Sequence, residues 1–190
     1  ISSNFHMYKV EKDGVCYYIE DQAVQSVMPV TAHFGFSVWS HLIPPFKPSK
    51  GVLVLVYGEG TVSVLMRKLY GDIDIVGVDE SRPSRDPYPD KFIQADAFSY
   101  LKACHEVFDY VLVDLWDGGR VPDGVSSWNF VAVLKRVTGT ILAVNSRGQT
   151  NFEHYDENFD RLLTKEWALN VIPFWKARGV EGDFRANPWA

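Results

Sequence analysis

Residues 52–61 read VLVLVYGEGT, and this stretch decides the fold. It opens with a run of Val and Leu that is typical of a central parallel strand buried on both faces. The run leads into Gly58-Glu59-Gly60, where the glycines allow a tight turn, and residues 61–70 continue as a helical pattern that Gly71 can cap. A buried strand, a glycine turn and a helix in this order predict the first unit of a doubly wound α/β sheet.

Downstream of this unit, strand patterns alternate with helical patterns. We predict strands over residues 73–79, 92–95, 108–115, 140–145 and 169–174, and helices over residues 97–104, 126–137 and 151–167. Pro83, Pro87 and Pro89 disfavour a helix between the second and third strands. Because strands that alternate with helices form right-handed crossovers, the predicted fold class is α/β, a Rossmann-like doubly wound and mostly parallel sheet.

The segment before the sheet has a different pattern. It predicts two strands around the hairpin turn Asp13-Gly14, then a third strand and a helix, at residues 7–10, 15–19, 23–27 and 34–43. Several prolines end the helix and form a linker. We therefore divide the chain into an N-terminal β-hairpin region with a linker helix, residues 1–48, and a Rossmann-like cofactor-binding domain, residues 49–190.

Composition narrows the classes of partner. The 190 residues are 46% hydrophobic and 23% charged, with a net charge of −5, which is typical of a globular protein. Without a basic cluster we expect no nucleic-acid partner, and without an apolar run of about 18 residues we expect no membrane partner. Cys16 and Cys104 are not spaced as metal ligands, so we predict no metal site and two free thiols in the cytoplasm.

The residues at the carboxyl ends of the strands are the candidates for ligand binding, because doubly wound folds bind ligands there. They are Gly58, Glu59, Gly60, Asp79, Asp96, Ala97, Asp114 and Asp117. Asp79 follows the glycines by about twenty residues, where an acidic side chain can accept hydrogen bonds from both ribose hydroxyls. Each position also has a simpler interpretation: a tight turn for the glycines, a helix N-cap for Asp79 or Asp96, and a capping or solvated loop position for Asp114 or Asp117.

The glycine turn and the acidic strand ends indicate the class of cofactor. Thr61-Val62-Ser63 follows Gly60, so the third glycine of the dinucleotide fingerprint Gly-x-Gly-x-x-Gly is missing. A nucleoside cofactor without phosphates tolerates this loss better. Acidic side chains also attract a cationic sulfonium and repel a polyphosphate. The pattern therefore favours a positively charged nucleoside.

With these features the chain resembles the spermidine synthase (polyamine aminopropyltransferase) family, within the class I S-adenosylmethionine-dependent methyltransferase fold. The resemblance runs from about residue 14 to residue 145. It rests on Ala23-Val24-Gln25-Ser26, the 52–61 stretch, Gly77-Val78-Asp79, Ala95-Asp96-Ala97, and residues 109–117 and 141–145. It implies S-adenosylmethionine or decarboxylated S-adenosylmethionine as cofactor and a small-molecule amine as substrate.

The resemblance also implies a role for each candidate. The turn Gly58-Glu59-Gly60 would line the amino-acid or aminopropyl side of the cofactor, Asp79 would hold the ribose, Asp96 and Ala97 would meet the adenine, and Gln25 would reach over from the hairpin region. Asp114 and Asp117 match the two acids of the family's catalytic loop. Because an ammonium has no lone pair, a carboxylate there must accept its proton before attack. We assign proton transfer to Asp114, whose backbone follows a buried strand, and substrate binding to Asp117.

Three functions remain open at the level of sequence. The first is aminopropyl transfer from decarboxylated S-adenosylmethionine to an amine. The second, methyl transfer to an unknown acceptor, is favoured by Gly35 and Ser37, which stand where the family has the Tyr and Glu that hold the polyamine. The third, a catalytically degenerate synthase-like module, is suggested by Val56-Tyr57, where the family commonly has Gly. Trp116 would either cover a substrate pocket or pack a homodimer, and both alternatives stay open.

Overall fold

The structure is a computed structural model that describes residues 8–20, 23–29, 37–117 and 119–184. Its strands and helices are, in chain order, β1 Tyr8–Lys12, β2 Val15–Glu20, β3 Ala23–Met28, α1 Val38–His41, β4 Val52–Leu55, α2 Thr61–Tyr70, β5 Ile75–Asp79, β6 Lys91–Gln94, α3 Ala97–Ala103, β7 Phe108–Val113, α4 Trp128–Val137, β8 Thr138–Val144, β9 Ser146–Arg147, α5 Glu153–Asn158, β10 Asp160–Trp167 and β11 Asn170–Lys176. A short 3-10 turn, Asp123–Ser126, precedes α4.

The N-terminal region forms a small antiparallel sheet in the order β1-β2-β3. Asp13 and Gly14 join its first two strands with φ angles of 53° and 74°, the left-handed backbone that an Asp-Gly hairpin turn requires. The predicted hairpin is therefore confirmed. Of the predicted helix over residues 34–43, α1 forms only the part Val38–His41: Ser37, Leu42 and Ile43 are not helical, and residues 34–36, including Gly35, lie outside the described residues.

The second sheet has its main strands in the order β10-β11-β8-β7-β4-β5-β6, and β9 pairs with β11. The strands from β8 to β6 in this order run parallel, whereas β11 is antiparallel to both of its neighbours. The predicted doubly wound and mostly parallel sheet is thus confirmed. Its parallel strands bring the ends of β4, β5, β6 and β7 to one edge, which we call the carboxyl rim.

Helices cover both faces of the parallel strands, and this explains the unbroken apolar runs in the sequence. On one face, Val52 and Val54 pack with side chains of α2 and the residues after α1. On the other face, Leu53 and Leu55 pack with α3, α4 and α5. All four residues of β4 and all six of β7 are buried. Apolar side chains buried on both faces of the sheet therefore hold the carboxyl rim in a fixed position.

The predicted long helix over residues 151–167 is wrong. The chain forms only the short helix α5 there and then turns into β10, which pairs antiparallel with β11 along its whole length. A tight turn at Ala168, with a φ of 50°, joins these two strands. The apolar spacing fits a helix, but pairing with a strand that follows immediately in the chain overrides that local pattern.

The segment between β5 and β6 contains no helix, as its prolines predict. Its last residue, Asp90, is buried instead against α2 and the glycine turn. The Asp90 carboxylate accepts hydrogen bonds from the Tyr57 hydroxyl at 2.7 Å and from the Ser63 hydroxyl, and it pairs with the Arg67 guanidinium at 2.6 Å. We call these four residues the Asp90 cluster. It ties the turn after β4 to the strand that follows the proline-rich segment.

None of the helices in the parts of the chain that the structure describes is long and apolar enough to cross a membrane.

Candidate functional site

The glycine turn lies directly against the end of β5. The backbone N–H of Gly58 donates a hydrogen bond to the Asp79 carboxylate at 2.8 Å, and the N–H of Ser81 donates to the other carboxylate oxygen at 3.0 Å. Gly58 and Gly60 have φ values of 56° and 80°, which glycine adopts without strain. The glycine turn and Asp79, the residue predicted to bind ribose, therefore lie together at the carboxyl rim. Since a carboxylate has about four lone-pair sites, Asp79 can still accept bonds from a ligand.

The N-terminal sheet packs onto this turn. The Ser26 hydroxyl accepts a hydrogen bond from the N–H of Glu59 at 3.0 Å, and a Cβ on Gly58 would lie 2.8 Å from the same oxygen. One strand residue later, the N–H of Val27 donates to the Thr61 hydroxyl at 3.0 Å. Gly58 is thus a position of close approach as well as a turn. Ser26 was not a candidate, although it stands beside Gln25 in the stretch that carries the resemblance.

Gln25 lies at an irregularity of β3. Tyr18 pairs with Ser26 and Ile19 pairs with Val24, so Gln25 is an extra residue without a partner on β2. A bulge of this kind re-aims side chains and breaks the usual alternation. Gln25 is half-buried, and its neighbour Ser26 contacts the glycine turn. Its contact with a cofactor stays a prediction.

The Glu59 side chain contacts the proline-rich segment, and its place beside the amino-acid or aminopropyl side of a cofactor stays a prediction. The side chain is buried, and the carboxylate accepts hydrogen bonds from the N–H of Ser84 at 3.0 Å and from its hydroxyl at 2.8 Å. Arg85 adds a hydrogen bond from Nε to the Glu59 carbonyl at 2.5 Å, and a Cβ on Gly60 would lie 2.1 Å from its Nη2. In this conformation Glu59 fastens the proline-rich segment to the turn, and its charge is already hydrogen-bonded.

Asp96 caps the helix that follows β6. Its carboxylate accepts a hydrogen bond from the N–H of Ser99 at 2.8 Å, while Ala97, the first residue of α3, is buried. The simpler interpretation of Asp96 as an N-cap is therefore what the structure shows. The side chain is nevertheless exposed at the rim, and one cap bond uses only part of its accepting capacity. A contact of Asp96 and Ala97 with adenine stays a prediction.

Asp114 follows β7 and is held by two neighbours. Its Oδ1 accepts hydrogen bonds from Trp116 Nε1 and from Asn145 Nδ2, each at 2.8 Å. Asn145 is buried at the end of β8 and itself accepts a hydrogen bond from Asn170 at 2.8 Å. Asn170 therefore holds Asn145, and Asn145 in turn orients the Asp114 carboxylate. Sequence reasoning missed both asparagines as site residues, although Asn145 stands at a strand end like the other candidates.

The environment of Asp114 favours its protonated form. Burial raises the pKa of the Asp114 carboxyl, and the negative charge of Asp79 acts in the same direction. The hydrogen bonds from Trp116 and Asn145 lower this pKa and offset only part of the rise. A carboxylate whose pKa is raised binds a proton more strongly than an ordinary one, and is therefore a better proton acceptor. Such shifts are typical of catalytic positions.

Asp117 lies in a different environment from Asp114. Its backbone pairs with that of Arg120 through hydrogen bonds of 2.8 and 3.1 Å, which close a tight hairpin. Its side chain is exposed on this hairpin. The Asp114 carboxylate is thus fixed by hydrogen bonds at the rim, whereas the Asp117 carboxylate is exposed to solvent on a turn. A substrate contact of Asp117 stays a prediction.

Comparison with known proteins supports the fold. No protein-family model matches the chain, and no curated protein matches it in sequence. Among similar solved structures, a probable spermidine synthase from Corynebacterium glutamicum has a TM-score of 0.69 and 11% identity, and the match covers 90% of this chain and 76% of that chain. A spermidine synthase from Thermotoga maritima has a TM-score of 0.63 and 11% identity, with 93% of this chain and 75% of that chain covered. Human methyltransferase-like protein 13 in complex with SAH has a TM-score of 0.60 and 14% identity, with 79% of this chain and 84% of that chain covered. The chain therefore has the fold of S-adenosylmethionine-dependent transferases.

Proposed function

We propose that this chain is an S-adenosylmethionine-dependent methyltransferase in which Asp114 accepts a proton from the acceptor. The observation that carries the proposal is the position of Asp114. Its carboxylate is fixed by Trp116 and Asn145, and it lies near enough to Asp79 for the two charges to interact. Asp114, the proposed proton acceptor, and Asp79, the residue predicted to bind ribose, thus lie on the same rim.

The residues at the rim fit a nucleoside cofactor. Asp79 and Asp96 would accept hydrogen bonds from ribose and adenine, and Gly58 presents backbone without a side chain. When bound, an S-adenosyl cofactor supplies a carbon that a neighbouring sulfonium activates. The acidic side chains around it favour a positively charged ligand.

Asp114 would act on the acceptor. Both hydrogen bonds that the described residues make to its carboxyl end on Oδ1, so Oδ2 is the oxygen that we assign to the proton. The proton that the acceptor nitrogen or oxygen loses on methylation would pass to Oδ2. A positioned general base of this kind contributes about 10²–10⁴ in rate.

Gly35 and Ser37 favour methyl transfer over aminopropyl transfer. The family that the chain resembles carries at these positions the Tyr and Glu that hold a polyamine, and this sequence has neither residue there. Ser37 offers no carboxylate to the ammonium group of a polyamine. Aminopropyl transfer is the second candidate. It is supported by the N-terminal sheet docked on the glycine turn and by the similarity to a probable spermidine synthase over 90% of this chain.

Cofactor binding can be tested without knowing the acceptor. We expect S-adenosylhomocysteine to raise the unfolding temperature of the purified protein, since ligand at a hundred times its Kd stabilises by about 2.7 kcal/mol. Asp79→Asn should remove most of this stabilisation. Asp74→Asn, a change of an exposed residue just before the other end of β5, should keep it. If S-adenosylhomocysteine and methylthioadenosine both leave the unfolding temperature unchanged, the protein is not a transferase of this class, and the degenerate module is the better description.

A second experiment separates methyl transfer from aminopropyl transfer. We expect S-adenosylmethionine to bind more tightly than its decarboxylated form in calorimetry. Incubation with decarboxylated S-adenosylmethionine and putrescine should release no methylthioadenosine. Release of methylthioadenosine that depends on Asp114 would establish the second candidate in place of the first.

A further inference from the structure

A cleft of about 500 Å³ opens beside the rim, between the hairpin after β7 and the segment after β8. One wall consists of residues 119–123 and Ser126, and the other of Arg147 and residues 149–151. The side chains that matter here are Arg120, Asp123, Arg147, Gln149 and Asn151. None of these residues was a candidate in the sequence, because none stands directly at the end of a predicted strand.

Arg147 connects this cleft to Asp114. Its guanidinium carbon lies 5.6 Å from the centre of the Trp116 ring, and the Trp116 indole N–H is the group that donates to Asp114. One aromatic ring therefore separates the guanidinium from the proposed proton acceptor. A molecule that fills the cleft and reaches past Trp116 would present its other end to Asp114.

Arg147 also has an unused hydrogen-bond donor. Its Nε is buried and has no partner among the described residues. A buried donor without a partner is unfavourable, so such a group in a cleft wall usually meets a ligand or water. The planar guanidinium matches the two oxygens of a carboxylate or phosphate.

The charges of the cleft favour an anion. Arg120 forms an ion pair with Asp123 at 3.3 Å, and these two charges balance each other. Arg147 then leaves the cleft with one positive charge in excess, beside neutral amides from Gln149 and Asn151. A polyamine carries only positive charges and would be repelled here. An oxyanion would be attracted and would receive hydrogen bonds from Arg147 and from an amide.

We propose that this cleft binds an oxyanion of the acceptor, a carboxylate or a phosphate, and so directs the acceptor's nucleophile towards Asp114. The proposal rests on the proposed function for the role of Asp114, whereas the anion site itself does not depend on it. It names the substrate class: an acceptor that carries an amine or hydroxyl at one end and an oxyanion at the other. It excludes a simple polyamine as the natural acceptor.

Chemical modification tests the site directly. Phenylglyoxal reacts with accessible guanidinium groups, and peptide mass spectrometry can follow Arg147, Arg120 and Arg178 separately. We expect succinate or inorganic phosphate to slow the modification of Arg147 and Arg120, and putrescine to have no such effect. Arg178, an exposed residue paired with Asp160, serves as the internal control and should be modified at an unchanged rate. The more protective of the two anions identifies which oxyanion the acceptor carries.

Calorimetry with matched variants completes the test. Arg147→Gln should weaken binding of the protecting anion by about tenfold or more, the loss expected for one charged hydrogen bond, while Arg178→Gln should leave it unchanged. Equal modification of all three arginines with and without anion, or an unchanged affinity in Arg147→Gln, would overturn the proposal. If S-adenosylhomocysteine binds while neither anion protects, only this inference fails. If the anions protect while no adenosyl ligand binds, the proposed function fails and the anion site stands.

Discussion

Asp109 and Asp114 lie at opposite ends of β7, and the protein shifts the pKa values of their carboxyls in opposite directions. Burial acts to raise both. At Asp109 this effect is outweighed by hydrogen bonds from the backbone N–H groups of Lys50 and Ser49, each at 2.7 Å, and from two hydroxyls. At Asp114 burial and the charge of Asp79 outweigh the two hydrogen bonds, which lower the pKa, so the pKa of this carboxyl stays raised. The charged form of the carboxyl is therefore stabilised at Asp109 and destabilised at Asp114.

We expect Asp114→Asn to increase stability at neutral pH. A carboxyl whose folded pKa lies above its unfolded value of about 3.9 lowers stability as the pH rises through that range, because the unfolded state then binds fewer protons. Asparagine keeps an oxygen for Trp116 and Asn145 and carries no charge. Urea unfolding between pH 3 and pH 8 should show a gain for the variant above about pH 4 that vanishes at lower pH. A variant less stable than the wild type at pH 7 would contradict the pKa shift.

Asp109→Asn should have the opposite effect. The folded pKa of Asp109 is lowered, so its contribution to stability is present above the unfolded value and is lost as the pH falls through the folded value. Asparagine would place an NH2 group, which is itself a hydrogen-bond donor, against the N–H and hydroxyl donors that now bind the Asp109 carboxylate. We expect a loss of about 1–3 kcal/mol at pH 7 in urea unfolding, and a smaller loss in acid. Equal losses at pH 7 and in acid would mean that the charge of Asp109 is not involved.

Asp90→Ala should destabilise the protein strongly. The side chain of Asp90 is 3% exposed, and its removal leaves the Arg67 charge and the Tyr57 and Ser63 hydroxyls without their shared acceptor. Removing one partner of a buried ion pair typically lowers stability by about 3–5 kcal/mol. The control is Asp72→Ala, because Asp72 also lies near Arg67, at 3.8 Å, but is fully exposed. Denaturant unfolding should show a change within about 0.5 kcal/mol for Asp72→Ala. Similar losses in both variants would exclude a special role for the Asp90 cluster.

Val56→Gly should be tolerated unusually well. Val56 has a φ of 70°, a left-handed conformation that is strained for a β-branched residue by about 1–2 kcal/mol. Glycine relieves this strain and offsets the loss of a half-buried side chain, so we expect stability within about 1 kcal/mol of the wild type. Val54→Gly, two residues earlier in a fully buried strand, should lower stability by about 3 kcal/mol. Thermal unfolding of the two variants makes the comparison, and equal losses would show that Val56 is not strained.

The course of the main sheet followed from local patterns. Continuous Val and Leu runs predicted β4 and β7, and the glycine turn predicted the start of α2. Because parallel strands end at a common edge, these patterns also placed Asp79, Asp96 and Asp114 on one rim. The exception is residues 151–167, where apolar spacing predicted a helix and pairing with β11 produced a strand. A local pattern cannot show which partner a segment will meet.

What the sequence by itself determined is therefore the α/β fold and the rim on which the acidic side chains stand. Only the tertiary structure decided what each side chain binds: Glu59 turns to Ser84, Asp114 is held by Asn145, and Arg147 lines a cleft next to Trp116. Hydrophobic burial depends on periodic patterns within about ten residues, which can be read along the chain. A hydrogen bond between loops depends on the positions of two segments that are far apart in sequence. The chemistry of this site arises from such pairs, and these exist only once the sheet has brought the loops together.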